Sequence, residues 1–534
     1  MRASDEFDAD VVIVGLGPVG ATAANLAHDL GLRAVVLERA TEVEPLPRAI
    51  GFDQEAMRVF AGFGLADTLA DHVMPYRPSE YHNSGGQVIK RIHTAPPPHL
   101  LGWAPNYVFL QPQLEGALRE RVARAPGIDV RLGTEVTDVR LDDDGATVET
   151  VDATRGRRTL RARYVLACDG GGSPLRKRTG MRMEDLGFDQ PWLVVDVRLR
   201  PGAGGELPTT NVQFCETARP STFIVGPGDH RRWEFMINPG ERPEDVSDPA
   251  FIRALLSRWL PPEDYDLWRA ATYRFHALVL KRWRVGRLLF LGDSAHMTPP
   301  FLAQGMCQGI RDASNLMWKL ALHIRHGAAG SLLDTYQQER EPHVRQVTLT
   351  AKEFGRLICE RDEATAADRD KDLLAELAAR PEGTVRQSLI PGLLAGFLAT
   401  EEFPARGDIL PQPRVTDGQA RRGLLDEFTG SAFRLVVRCG ADVSQVEPAL
   451  RTHRRKGGFP VRLVHLVNEA ETGGTDGFQE EQPVLDPWMR QRSCEAVLAR
   501  PDHYVFGGVR SVSDLASLLA SARRRLRKAG PENP

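Results

Sequence analysis

Residues 10–38 constrain the fold more than any other stretch of the chain. The apolar run Val11-Val12-Ile13-Val14 leads into Gly15-Leu16-Gly17-Pro18-Val19-Gly20, then into an apolar-periodic segment over 21–30. A second apolar run, Ala34 to Leu37, ends in Glu38. Unbroken apolar runs read as strands buried on both faces, so the segment predicts a βαβ unit of a parallel sheet. In such a turn Gly15 permits the tight reversal, Gly17 lets the backbone approach a pyrophosphate, and Gly20 lets helix and strand pack closely. Glu38 stands where an acid would accept ribose hydroxyls. Glycines also serve plain tight turns, but strand, helix and acid in register favour dinucleotide binding. The turn alone leaves NAD and FAD both open.

Two later segments repeat the theme of a strand ending in glycine and acid. Tyr164-Val165-Leu166-Ala167-Cys168 ends in Asp169-Gly170-Gly171-Gly172-Ser173-Pro174-Leu175-Arg176. Leu288 to Leu291 exit through Gly292-Asp293 into the stiff loop Pro299-Pro300, and Gly305 opens a helix with Ile310, Ala313, Leu316, Met317 and Leu320 at helical spacing. If all three belong to one doubly wound sheet, their crevices converge at its carboxyl edge, and a single NAD site seldom needs three. A helix opening at Gly305 would present unpaired amides and a partial positive charge to something electron-rich.

Between these segments, residues 75–105 are rich in Pro, His and Gly, and 192–198, 211–215, 222–225 and 232–237 read as strands of an inserted sheet. Composition shifts after Glu402 to a proline-bearing linker. Strands at 433–437 and 461–467 then suggest a small separate α/β domain. The divisions expected are 1–74, 106–185 and 285–400 for a nucleotide-binding domain, the last with a helical region, 75–105 and 186–284 for the substrate-binding sheet, and 401–534 for the terminal domain.

The 534 residues carry 42% hydrophobic composition and a formal charge of −3, which gives no basic footprint for nucleic acid. Six scattered cysteines form no Cys-x-x-Cys pair, arguing against a metal or dithiol centre and for a reducing compartment. The opening residues MRASDEFDAD are acidic where a secretory signal would be basic then apolar, and no apolar run is long enough to span a membrane. These features predict a cytoplasmic protein.

The motifs, taken together and in order, resemble the class A flavoprotein aromatic hydroxylases, the para-hydroxybenzoate hydroxylase superfamily, and most closely its 3-(3-hydroxyphenyl)propionate hydroxylase branch. The match rests on the Gly15–Gly20 turn, Pro47-Arg48-Ala49-Ile50-Gly51 with Asp53 and Glu55, Gln111-Pro112-Gln113, Cys168-Asp169-Gly170-Gly171 with Arg176, Gly292-Asp293-Ser294-Ala295-His296, and Arg311-Asp312-Ala313 with Asn315, Trp318 and Lys319. The resemblance implies a Rossmann-like α/β FAD-binding domain, an inserted mixed or antiparallel substrate sheet, and a thioredoxin-like C-terminal domain. It implies FAD as cofactor, NADPH or NADH as co-substrate, and oxygen transfer through a flavin C4a-hydroperoxide to a phenol, ortho to an existing hydroxyl. A homodimer is compatible with it.

By the same resemblance Glu38, with Arg39 beside it, would hold the adenosine ribose, and Arg48 and Gln111 the pyrophosphate and ribityl region. Asp293 would hold a ribityl hydroxyl, and Asp169 would support both nucleotides. Pro299 and Pro300 would lie beside the flavin ring, with Gly305, Met306 and Cys307 at its pyrimidine edge. Cys307 departs from an asparagine frequent in relatives, which leaves that contact to the backbone. The terminal domain would be thioredoxin-like in architecture without thiol exchange.

A phenol titrates near ~10, so the reaction needs a base or relay. Roof candidates are His82, Tyr81, Gln213, Arg219 and His276; Arg219 is the one able to pair with a substrate carboxylate, and His82 the acid–base candidate. His296 reads as a hydrogen-bonded structural residue. An NAD-dependent dehydrogenase, which leaves the Asp169 and Asp293 segments idle, and a non-catalytic flavin-binding protein are the alternative readings.

Overall fold

A computed structural model describes residues 7–152, 156–468 and 477–527. Ala9–Val14 is the central strand of the first sheet, in parallel register with Ala34–Glu38 on one side and Gly156–Ala167 on the other. Leu288–Phe290 adds in parallel to Gly156–Ala167. Val11, Val12 and Ile13 are fully buried, the environment an unalternating apolar run requires. The helices Pro18–Asp29 and Gly305–His326 pack together on this sheet. Strand ends far apart in the chain thereby meet along one carboxyl edge, as expected from their shared glycine–acid pattern.

The second sheet has nine strands, with Met183–Leu199 antiparallel to both His230–Met236 and Tyr265–Leu280. Ser221–Val225, Asn211–Cys215, Ser79–Asn83 and Val88–His93 extend it. Tyr265–Leu280 was not expected: Arg269, Thr272, Arg274 and His276 break any apolar alternation, and pairing with Met183–Leu199 supplies what local pattern does not. The outer face buries Leu193, Val195, Phe223, Trp233 and Phe235 under Ile252 and Leu256 of the helix Pro249–Leu256.

The C-terminal unit contains a four-stranded sheet in the order Val461–His465, Phe433–Val437, Ala496–Ala499, Val505–Val509, the first pair parallel and the others antiparallel. Helices Val446–Arg455 and Leu515–Arg527 flank it, giving a thioredoxin-like arrangement. The stretch after Glu402, expected as a linker, is instead packed. Ala405 and Leu410 are fully buried, and Gly407 exchanges backbone hydrogen bonds with Leu393 and Val505. Alanine and leucine among the prolines are sufficient to bury a segment whose composition reads as loop. No helix among the described residues is long and apolar enough to cross a membrane.

Candidate active site

The carboxyl edge of the first sheet is built by close backbone approaches. Gly15 adopts φ +98°, and a Cβ there would lie 2.4 Å from the Cys168 carbonyl oxygen. A Cβ on Gly20 would lie 1.9 Å from the Gly15 oxygen, so any side chain would force helix and turn apart. A Cβ on Gly17, in contrast, meets nothing within 4 Å. Gly17 therefore faces open space at the N-terminus of Pro18–Asp29, where unpaired amides and the helix dipole suit an anion. Glu38 accepts from the Leu16 amide at 2.7 Å and the Ala40 amide at 2.8 Å, which fixes its carboxylate beside the turn. Arg39 next to it is exposed.

The second strand end is tied to the third. Asp169 accepts from Ser173 Oγ at 2.7 Å and the Leu175 amide at 3.1 Å, so both its oxygens cap the short helix Pro174–Arg178. Burial raises its carboxyl above the usual range, with those donors opposing. Arg176 donates to the carbonyls of Gly171 and Ser294 and so bridges two strand ends.

Asp293 is exposed between the buried Gly292 and Ser294, and desolvation by the surrounding protein raises its carboxyl. The turn that carries it is held from behind. Asp312 accepts from the Gly292 amide at 3.0 Å, His296 Nε2 at 2.7 Å and Arg340 Nε at 2.9 Å. His296 is thus a structural partner, as its setting in the sequence suggests.

Pro299 and Pro300 lead through a short 3₁₀ turn to Ala303 at φ 50°, and the helix Gly305–His326 follows. The amides of Gly305, Met306 and Cys307 have no carbonyl one turn back and crown the crevice. Cys307 itself is buried, with Sγ turned to the Ala303 carbonyl at 3.6 Å, and burial pushes its thiol far up. Only its backbone is available to a ligand. Arg311 pins this helix by pairing with Asp53 at 2.6 Å and Glu55 at 2.8 Å.

Gln111 acts one step back from the crevice: its Oε1 accepts from the amides of Arg48 and Ala49 at 3.1 and 2.7 Å, shaping the 47–51 loop. The Arg48 side chain is exposed, with Glu44 at 3.9 Å. The carbonyls of Pro47 and Arg48 accept from Arg232, and that of Pro47 also from Arg269, both on the second sheet. Open space over Gly17, an acid at each outer strand end and a crown of free amides fit a dinucleotide carrying an electron-rich ring. The residues present therefore fit FAD.

The roof is the inner face of the second sheet. Across its strands runs the row Val194, Glu234, Thr222, Gln213 and Tyr81, each directly opposite the next. Thr222 Oγ1 donates to Gln213 Oε1 at 2.6 Å. Beside that row Asp196 accepts from His230 Nε2 and Arg232 Nε, both at 2.7 Å. Of the roof candidates only Tyr81 and Gln213 lie on this face.

His82 and Arg219, expected as catalytic, are not brought to the crevice. Side chains alternate along a strand, so His82 lies on the outer face, edge-on to Phe214 and 3.3 Å from Glu80. Arg219 is engaged bidentately by Glu241 and donates to the Met236 carbonyl at 3.0 Å. His276 pairs with Asp189 at 3.4 Å. The sequence reading missed Thr222, Glu234, Arg232, Arg269 and Asp196. A signal was present: in His-Arg-Arg-Trp-Glu-Phe-Met, charges at 232 and 234 alternate with Trp233 and Phe235. That is the pattern of a strand with one apolar and one polar buried face.

The family described as FAD binding domain matches residues 8–351, and the HcaD C-terminal domain matches 407–525. A protein of Rhodococcus jostii (strain RHA1) named "Probable NADH-specific resorcinol 4-hydroxylase" is 38% identical over 515 residues, 95% of this chain and 93% of the relative. A 3-(3-hydroxy-phenyl)propionate/3-hydroxycinnamic acid hydroxylase of Burkholderia cenocepacia (strain HI2424) is 32% identical over 523 residues, covering 95% and 94% of the two chains. The fold matches that of the flavin-dependent monooxygenase PieE, solved with FAD and substrate, at a TM-score of 0.79 and 21% identity over 97% of this chain and 99% of that one. The chain belongs to the FAD-binding-domain family and is a flavin-dependent aromatic hydroxylase.

Proposed function

We propose that this chain inserts one oxygen atom of O2 into a neutral phenol, ortho to an existing hydroxyl, with FAD as cofactor and NADH or NADPH as reductant. The reading is carried by the open crevice, where three strand ends and the helix at Gly305 face a sheet of polar side chains. The chemistry that a bound flavin would supply is hydride acceptance from the nicotinamide and activation of O2.

The chain's own residues bind, orient and exclude water. Glu38 receives the adenosine ribose, the amides over Gly17 receive the pyrophosphate, and Asp293 accepts from the ribityl chain. The amides of Gly305, Met306 and Cys307 stabilise negative charge on the pyrimidine edge. Pro299 and Pro300 present a rigid wall with no amide donor beside the ring. Asp169 acts indirectly, by fixing the helix from which Arg176 reaches the Asp293 turn.

A neutral phenol is favoured because the cations of the roof are already engaged. Arg232 and Arg269 face Asp196 and the 47–48 carbonyls, and Arg219 pairs with Glu241. Among the described residues each guanidinium of that face is engaged, so a substrate carboxylate would meet Glu234 without a cation to receive it. In this respect the site suits the chemistry of the Rhodococcus relative's resorcinol better than a phenylpropionate.

The test is NADH oxidation in air by the purified yellow protein, with resorcinol against 3-(3-hydroxyphenyl)propionate, scoring hydroxylated product against peroxide. Coupled product from resorcinol alone is expected; equal coupling with the acid would remove the neutral-phenol assignment. Gly17→Ala should fold yet lose FAD, since its new methyl group occupies the cradle without touching the protein.

A further inference from the structure

We propose that Glu234 receives the phenolic hydroxyl of the substrate and takes its proton as the ring is attacked. The proposal rests on the hydroxylase reading above and names the group that the reaction needs for phenol activation.

Position comes first. Arg232, Glu234 and Met236 are successive inward positions of one strand, facing Asp196, Val194 and Trp192 of the next. Two loops of the first domain close over this face. One is the 47–51 loop, whose carbonyls are held by Arg232. The other is the turn after Pro299, whose Phe301 meets Trp192 with ring centroids 5.8 Å apart. Glu234 thus lies between the strand positions that the two loops touch. A Cβ on Gly51 would lie 3.1 Å from that of Ala303, so the two loops also approach each other. The side chain is placed where a ring held between the loops would present a substituent to the sheet.

Pairing comes second. Glu234 is 6% exposed, and its ion-pair partner among the described residues, Arg232, stands beyond hydrogen-bond distance. Its nearest cation is Arg232 at 4.0 Å, and that guanidinium donates instead to Asp196 and to the Pro47 and Arg48 carbonyls. The Thr222 hydroxyl opposite it donates its hydrogen bond to Gln213 Oε1 instead. Glu234 is not among the sealed, partnerless polar atoms, so its oxygens stay reachable and a ligand donor can complete them. A phenolic O–H is such a donor.

Proton affinity agrees with the geometry. Burial pushes Glu234 up to about 7; Arg232 and Arg269 pull it down, and Asp196 adds to the rise. A base near the working pH is the effective one. In the step, the phenol O–H bond breaks and the proton passes to a Glu234 oxygen. The electron pair stays on the phenol oxygen and feeds the ring carbon that receives oxygen; the proton returns to water after product leaves.

The experiment compares wild-type and Glu234→Gln holoenzymes after each is shown to hold FAD, with resorcinol as probe. For the wild type, kcat/KM for hydroxylation should rise with pH through an apparent value near 7. Glu234→Gln should lose about 100-fold at pH 7 together with that limb. Glu234→Asp should keep the limb at reduced rate. Independently of any variant, resorcinol binding to wild type at pH 6 should release a proton, because a donated hydrogen bond favours the ionised carboxylate, and at pH 9 should release none. A Glu234→Gln enzyme with wild-type rate and pH profile, or binding at pH 6 without proton release, overturns the proposal. A wild type that holds FAD but turns over no phenol overturns the hydroxylase reading as well, which separates the two failures.

Discussion

Two glutamates lie at nearly the same depth in this molecule and have opposite surroundings. Glu339, on the helix Ser331–Cys359, is 1% exposed and accepts from Asn315 at 2.6 Å, Arg500 at 2.7 Å, Lys319 at 2.8 Å and the Phe397 amide at 2.7 Å. Burial alone would raise its carboxyl, but Arg500 and then Lys319 outweigh it and hold the group down to about 2. Burial lowers Lys319 to about 8 despite Glu339, since one carboxylate is shared between two cations. Glu234 has burial without donors and is pushed up to about 7. The same residue type is a joint in one place, locking the C-terminal unit to the helix Gly305–His326, and an open valence in the other. Depth does not distinguish them; the supply of donors does.

The largest expected effect comes from breaking the joint. Glu339→Gln should cost about 3–5 kcal/mol, because it leaves Arg500 and Lys319 buried against too little negative charge; the midpoint of urea unfolding measures it. The pH sign follows from the depressed value. Stability from Glu339 is present above the ordinary glutamate range and is lost as pH falls toward about 2, so the variant should be less acid-sensitive than wild type over that interval.

Glu234→Gln should act in the opposite direction. With its folded value raised, Glu234 contributes stability below the ordinary glutamate range and loses it as pH rises through about 7. The variant should therefore gain on wild type between pH 5 and pH 8, by roughly 1–3 kcal/mol at the upper end. Thermal midpoints at the two pH values would show it. An unchanged difference between them would mean that Glu234 has a donor after all.

The smallest effects should come from the two roof candidates outside the crevice. Arg219→Met removes a partly exposed ion pair with Glu241 and should cost under about 1 kcal/mol. It should leave resorcinol affinity unchanged, as read from the flavin absorbance change on binding. His82→Ala should likewise leave turnover within about twofold, the margin expected when a side chain touches no reacting group. A large loss in either would return the carboxylate or acid–base role to that residue.

The cofactor half was legible in the chain because its constraints are local. Gly20 is demanded by clearance within the turn itself, Gly15 by its positive φ and the approach of Cys168, and Gly17 by the open space a ligand would fill; Glu38, Asp293 and the helix at Gly305 follow their strands at short range. The roof was not legible, because it depends on partners distant in sequence. Glu234 faces Thr222 and Val194, and whether Arg232 serves it or Asp196 is settled by strand register. Tyr265–Leu280 illustrates the same limit, since its polar positions make sense only beside Met183–Leu199. Asp312, Asn315 and Lys319, which help carry the family resemblance, are internal fasteners whose partners lie far along the chain.

The sequence by itself determined the dinucleotide-binding βαβ unit and the strand ends that would share its edge, because short-range sterics and hydrophobic period specify those directly; FAD rather than NAD followed from the resemblance of the motifs to the hydroxylase family. Only the tertiary structure decided which carboxylates are paired. Hydrogen-bond supply at a buried site is a property of the strands and loops that converge there, and no residue's neighbours in the chain reveal it.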